Sequence, residues 1–69
     1  MIIAREDLNQ MKDLARRMSV TPNWETKRLY EMQHDFRDRM AKKYGEKVAI
    51  AMLTKAWKLS ARMRLEGEI

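Results

Sequence analysis

The residues that could carry out chemistry are few, and they do not converge on one site. His34 is the only histidine, and it lies in a different predicted helix from the serines that it could activate, Ser19 and Ser60. A nucleophilic serine needs a base within hydrogen-bonding distance. A zinc site needs several histidine or cysteine ligands, and the chain has no cysteine. Gly45 and Gly67 alone cannot form a glycine-rich phosphate loop. We therefore predict a protein that is not an enzyme and has no metal and no cofactor.

One group of residues is typical of a protein-contact surface. Tyr30, His34 and Arg37 are spaced four and three residues apart, which places them on one stripe of a helix. Tyrosine and arginine are enriched among residues that dominate binding energy, and Trp57 is a further aromatic candidate. The same spacing also fits a boundary between core and solvent, where amphipathic side chains lie along apolar surface. The boundary is the simpler interpretation of the stripe, and partner contact is the functional one.

A second group of residues is basic and lies in the C-terminal half. The chain has 15 Lys and Arg against 10 Asp and Glu, which gives a net charge of +5. Nine of the basic residues lie between Arg37 and Arg64, together with only two acids. Four of them form a basic ridge on one side of the third predicted helix: Lys47, Lys55, Lys58 and Arg62. A ridge of this sign favours an acidic partner, either nucleic acid or an acidic protein surface.

These two classes of partner make different demands on the sequence. A helix-turn-helix protein places short helices around a tight turn, with polar side chains at the start of the second. Here the helix before Gly45 is long, and the next one opens with the largely apolar segment Glu46-Lys47-Val48-Ala49-Ile50. Aromatic residues interleaved with basic ones, as in proteins that bind single strands, are sparse. A protein partner requires only an exposed helix face with one or two aromatic anchors.

The sequence thus predicts a small non-catalytic helical protein that binds another protein with an acidic surface. It would act as an adaptor or inhibitor that occupies the surface of a regulator or enzyme, as proteins encoded by small phage or plasmid genes do. The alternative is a basic nucleic-acid-binding transcriptional regulator or architectural protein, and binding to a membrane surface ranks third. The partner-binding candidates are Tyr30, His34, Arg37, Lys47, Lys55, Trp57, Lys58 and Arg62.

Three helices are predicted to position these residues. Apolar residues recur at spacings of three and four over residues 5–18, 22–44 and 46–65. Thr21 is predicted as the N-cap of helix 2, with Pro22 at its first position. The predicted core faces are Leu8, Met11, Leu14, Ala15 and Met18 in helix 1, Leu29, Met32, Phe36, Met40 and Tyr44 in helix 2, and Val48, Met52, Ala56, Leu59 and Met63 in helix 3, widened there by Ala49 and Leu53.

Gly45 is predicted to separate helix 2 from helix 3. It follows Lys42 and Lys43, and a glycine after cationic residues is a common helix ending. One continuous helix through Gly45 is the competing interpretation, since an interior glycine costs only about 1 kcal/mol relative to alanine. The fold prediction is an all-α, three-helix domain over residues 1–69, in which helices 2 and 3 form a hairpin and helix 1 packs across it.

Composition also bears on assembly and location. A chain of 69 residues buries a small core and usually needs reinforcement. Disulfides are excluded and metal is disfavoured, so we expect a homodimer.

Glu6 and Asp7 stand where a signal peptide would need apolar residues, and the longest apolar run, residues 48–53, is too short to span a bilayer. We therefore expect a cytoplasmic protein.

Overall fold

The computed structural model describes residues 2–67, which form three α-helices and no strand. The helices are α1 (Arg5–Val20), α2 (Thr26–Tyr44) and α3 (Glu46–Gly67). α2 and α3 form a hairpin around Gly45, and α1 packs against both, with its larger contact on α3. The predicted all-α architecture is confirmed. α3 is the central helix, with one flank against α1 and the other against α2.

The core forms where the apolar stripes of the three helices meet. On α3, Ala49 and Ala56 have no exposed surface, and their small side chains allow the neighbouring helices to approach α3 closely. The buried apolar side chains within residues 2–67 are Met11, Leu14, Ala15, Met18, Phe36, Met40, Ala49, Met52 and Ala56. All nine lie on the predicted faces, so the helical period of the sequence located the core correctly.

The connection between α1 and α2 differs from the prediction. α1 runs two residues further than predicted, and α2 begins at Thr26 rather than at Pro22. Thr21 is not the N-cap of α2, because its hydroxyl donates a 2.6 Å hydrogen bond back to the carbonyl oxygen of Arg17. A threonine side chain can reach the carbonyl four residues earlier, and here it closes the end of α1. Pro22 then opens a turn in which its carbonyl accepts a 3.0 Å hydrogen bond from the amide of Glu25.

Gly45 separates α2 from α3, as predicted. Its φ is +92°, a conformation that residues with a side chain rarely adopt. Its amide donates a 2.9 Å hydrogen bond to the carbonyl oxygen of Ala41, and its carbonyl accepts a 3.1 Å hydrogen bond from the amide of Ala49. The two bonds pair a carbonyl group in the last turn of α2 and an amide group in the first turn of α3. The competing interpretation of one continuous helix is wrong.

A buried carboxylate joins the start of α1 to the end of α2. Asp7 is 1 % exposed and accepts hydrogen bonds from the hydroxyl of Tyr44 and, at 3.1 Å, from the ammonium of Lys43. The Tyr44 hydroxyl oxygen also accepts a 3.1 Å hydrogen bond from the amide of Ala4. The bond from Tyr44, followed by that from Lys43, holds the pKa of Asp7 below its ordinary value. Asp7 in turn raises the pKa of Lys43. The one sequence signal for this cluster is that Asp7 lies four residues before Met11, on the buried stripe of α1.

A second long-range contact ties the end of α3 to the end of α1. The guanidinium of Arg64 donates hydrogen bonds to the carbonyl oxygens of Met18 at 2.8 Å and Thr21 at 2.7 Å, and to the side-chain oxygen of Asn23. Carbonyl groups at the C-terminus of a helix lack partners within the helix and carry partial negative charge. Arg64 therefore caps α1, and its charge belongs to the fold rather than to a binding surface.

Candidate binding surfaces

The predicted site residues fall on the two different flanks of α3. Tyr30, His34 and Arg37 line a depression where α2 meets α3, and Trp57 reaches the same region through a hydrogen bond to Gln33. The basic ridge lies on the other flank, beside α1. The structure therefore gives two surfaces with different chemistry, one aromatic and one basic.

A shallow groove of about 410 Å³ lies between α1 and α3. Lys47 and Lys55 line its α3 edge, and both are exposed. Lys58 and Arg62 continue that edge at spacings of three and four residues, so the basic ridge forms one rim of the groove. The floor is apolar and consists of Ile3, Leu8, Met11, Val48, Ala51 and Met52.

α1 supplies the opposite rim, whose residues were not among the predicted candidates. Arg5 and Lys12 lie three residues before and four residues after Leu8, so they flank it on the surface of α1. Arg16 follows Lys12 by one turn, and all three basic side chains are exposed. The N-terminal half is nearly balanced in charge, so its composition does not indicate a basic surface there.

The basic residues of both rims lack acidic partners in the part of the chain that the structure describes. Asp13 pairs with Arg17 and Glu46 pairs with Arg37, away from the groove. Glu66 lies four residues after Arg62 and forms no ion pair with it. No ion pair within residues 2–67 involves the seven rim residues, Arg5, Lys12, Arg16, Lys47, Lys55, Lys58 and Arg62. We call these seven residues and the apolar floor between them the basic groove.

Aromatic side chains are exposed on the other flank, where α2 meets α3. Tyr30 is 65 % exposed and Trp57 is 48 % exposed. The indole N–H of Trp57 donates a 3.1 Å hydrogen bond to the side-chain carbonyl oxygen of Gln33. The ring centroids of Tyr30 and His34 lie 5.5 Å apart. Neighbours on α2 thus hold both aromatic side chains in place at the surface.

Two aliphatic residues of α3 extend this surface. Leu53 lines the depression between α2 and α3, which has a volume of about 230 Å³. Ile50 is 48 % exposed and lies seven residues before Trp57, on the same side of α3. We call this surface the aromatic patch, and it consists of Tyr30, Gln33, His34, Arg37, Ile50, Leu53 and Trp57.

Polar side chains of the aromatic patch have acidic neighbours. The guanidinium of Arg37 lies 3.3 Å from the carboxylate of Glu46. Nδ1 of His34 lies 3.2 Å from the carboxylate of Asp38. The patch therefore combines exposed apolar area with balanced charge, whereas the basic groove has an excess of positive charge.

The third face, between α1 and α2, is charged on both sides and balanced. Asp13 lies 3.1 Å from Arg17, and Asp35 lies 3.4 Å from Arg39. Exposed pairs of this kind contribute little to stability. Across the described residues, no three His, Cys, Asp or Glu side chains are grouped so that they could hold a metal ion. The two ion pairs line a cleft of about 300 Å³ whose apolar wall includes Leu14, Met32 and Phe36, and the face as a whole is balanced in charge.

Comparisons with protein-family models, with curated proteins and with solved structures give no match to this chain. Among residues 2–67, none of the helices is both long enough and apolar enough to cross a membrane.

Proposed function

We propose that this chain is a non-catalytic binding protein that holds an acidic amphipathic helix of another protein in its basic groove. By covering that helix it acts as an adaptor or inhibitor of its partner. The observation that carries the proposal is the apolar floor between two rims of uncompensated positive charge. Such a surface is complementary to a helix with an apolar stripe and acidic flanks.

Each part of the groove has a counterpart on such a helix. An amphipathic helix presents apolar side chains at i, i+3, i+4 and i+7 along one stripe, and these would contact Leu8, Val48 and Met52. Acidic side chains on one flank would face Lys12, and those on the other flank would face Lys55. Apolar burial supplies most of the affinity, while the rim charges orient the partner and speed its approach.

The length of the groove sets the size of the segment it can bind. From Lys47 to Arg62 the α3 rim covers 16 residues, and the 15 steps between them correspond to about 22 Å of helix axis at 1.5 Å per residue. A bound helix of about four turns would run along this rim. That is the usual length of an amphipathic recognition helix in a groove.

Nucleic acid is the second candidate partner, because the same seven basic residues could contact phosphates. Binding to a phosphate backbone requires positive charge on the protein and does not require an apolar floor. The floor formed by Leu8, Val48 and Ala51 therefore favours a protein helix. The two candidates also differ in their response to salt, since binding to duplex DNA weakens steeply as salt rises.

A capture experiment with charge-matched variants tests the proposal. The baits are the wild type, Lys55→Glu/Arg62→Glu on the groove rim, and Lys27→Glu/Lys42→Glu on α2. Lys27 and Lys42 are exposed, and the described residues offer them no ion pair. Both double variants change the net charge by the same amount, so any difference between them reports position rather than total charge.

The proposal predicts that wild type and the α2 variant capture the same protein in near-equal amount, with or without nuclease. The rim variant should lose it. Capture of material that disappears on nuclease treatment, together with a mobility shift of duplex DNA at low salt, would instead establish the nucleic-acid candidate. Equal loss of the captured protein with both double variants would refute a role for the groove.

A further inference from the structure

We propose that the aromatic patch is the surface through which two copies of this chain associate, with the α2–α3 face of one copy packed against that of the other. The inference goes beyond the proposed function, because the patch lies on the opposite flank of α3 from the basic groove. It gives the expected homodimer a specific face and specific residues.

The aromatic patch exposes more apolar side-chain area than isolated surface residues do. Tyr30, Ile50 and Trp57 are 65 %, 48 % and 48 % exposed, and with Leu53 they lie on one continuous side of the hairpin. Single exposed apolar residues are ordinary, but a contiguous group with two aromatic side chains marks an interaction surface. The described chain has a small core, so a second copy is the natural way to bury this group.

The charge distribution favours a second copy as the occupant. A symmetric dimer brings each surface against itself, so an uncompensated charge meets the same charge on the other copy. The basic groove would repel itself in this way, because its seven basic residues have no acidic partners within residues 2–67. In the aromatic patch, Arg37 is compensated by Glu46 and His34 faces Asp38. The patch therefore carries no uncompensated lysine or arginine and can face a copy of itself without the repulsion that the basic groove would meet.

The shape of the patch suits a helical interface. α2 and α3 form an antiparallel hairpin, and two hairpins packed face to face make a four-helix arrangement. The depression of about 230 Å³ beside Leu53 offers space for a large side chain from the other copy. Both basic grooves would remain on the outside of the dimer, each open to its own partner.

Measurement of mass in solution tests this proposal directly. Sedimentation equilibrium of the wild type should give twice the chain mass of 8.3 kDa at micromolar concentration. Trp57→Arg and Tyr30→Arg should each raise the dimer dissociation constant by about thirtyfold or more, as expected for loss of an interfacial aromatic anchor. Trp24→Arg is the matched control, since Trp24 is 82 % exposed in the connection between α1 and α2. It should dimerise like the wild type.

Fluorescence adds an independent readout. In Trp24→Phe the only tryptophan is Trp57, so its emission should shift to shorter wavelength as concentration rises and the dimer forms. Circular dichroism shows whether each variant keeps its helices. Because Tyr30 is well exposed, Tyr30→Arg leaves the core intact and still tests the interface even if Trp57→Arg does not fold.

A folded wild type that stays monomeric at high micromolar concentration would overturn the proposal. Equal dimerisation of Tyr30→Arg, Trp57→Arg and Trp24→Arg would overturn it too, since the dimer would then use another face. Neither outcome affects the capture experiment on the basic groove, so the two proposals can fail separately.

Discussion

The ammonium of Lys43, at the end of α2, lies 3.1 Å from the buried carboxylate of Asp7, in the first turn of α1. Tyr44 donates a second hydrogen bond to the same carboxylate. These contacts fix the start of α1 against the end of the hairpin. The Asp7 carboxylate also lies near the N-terminus of α1, where negative charge is favourable. One buried acid thus sets the position of the helix that supplies half of the basic groove.

This contact predicts how stability depends on pH. The pKa of Asp7 is lowered from 3.8 in the folded protein, so its contribution is present above pH 3.8 and is lost as the pH falls through the lower, folded-state value. The pKa of Lys43 is raised from 10.5. Its contribution is present below pH 10.5 and is lost as the pH rises through the higher, folded-state value. Thermal melts should therefore show stability falling at both extremes.

Replacement of Asp7 tests the predicted loss of stability at acidic pH. Asp7→Asn should lower the melting temperature at neutral pH, because Lys43 and Tyr44 lose their charged acceptor. The difference in melting temperature between Asp7→Asn and the wild type should become smaller as the pH falls below 3.8. A difference that stays constant from neutral pH into the acidic range would show that the charge of Asp7 does not act as inferred.

Gly45→Ala tests the turn between α2 and α3. A Cβ at this position would meet no atom within 4 Å beyond those of the adjoining residues, so the cost lies in the backbone, whose φ of +92° and ψ of 162° are suited to glycine. Strain of this kind costs about 1–3 kcal/mol, and urea denaturation should show a loss of that size. Stabilisation by about 1 kcal/mol, as for a glycine inside a helix, would instead mean that α2 and α3 are continuous in solution.

Arg64→Ala tests the contact that ties α3 to α1. The variant leaves the carbonyl groups of Met18 and Thr21 without the partner they have in the structure. Loss of such hydrogen bonds costs about 1–3 kcal/mol. Arg62→Ala is the matched control, since Arg62 is exposed, and it should change the free energy of unfolding by no more than about 0.5 kcal/mol. Equal effects of the two variants would contradict a capping role for Arg64.

Salt should affect association through the basic groove more than dissociation. Rim charges attract an acidic partner at a distance, so the association rate should fall as ionic strength rises, while apolar contacts govern dissociation. Lys55→Ala, a milder change than the charge reversal, should slow association and weaken its dependence on salt. Stopped-flow mixing with the purified partner measures both. An association rate that is independent of salt for the wild type would argue against electrostatic steering by the rims.

The sequence predicted the helices and core well, because the helical period of each stripe depends only on nearby residues. Met11, Phe36 and Met52 are buried where the period placed them. The start of α2 was predicted four residues too early. Thr21 can cap a following helix or bond to a preceding one, and local sequence does not decide between them.

The surfaces were harder to predict, because periodicity assigns residues to faces of one helix but does not show which faces become neighbours. The ridge on α3 was apparent from Lys55 and its neighbours, but the opposite rim from Lys12 on α1 required the packed structure. The contact of Asp7 with Lys43 and the capping by Arg64 join residues more than thirty positions apart, which no local pattern reveals.

Capture with Ala51→Gln and Ala61→Gln baits shows whether the basic groove binds a protein helix. Ala51 is exposed on the groove floor and Ala61 is exposed on α3 outside the lining of the groove, so both changes add the same bulk without changing charge. If a helix lies on the groove floor, Ala51→Gln loses the captured protein, whereas Ala61→Gln keeps it and the capture resists nuclease. Equal capture by both baits, or capture of nuclease-sensitive material alone, would contradict binding of a helix in the groove.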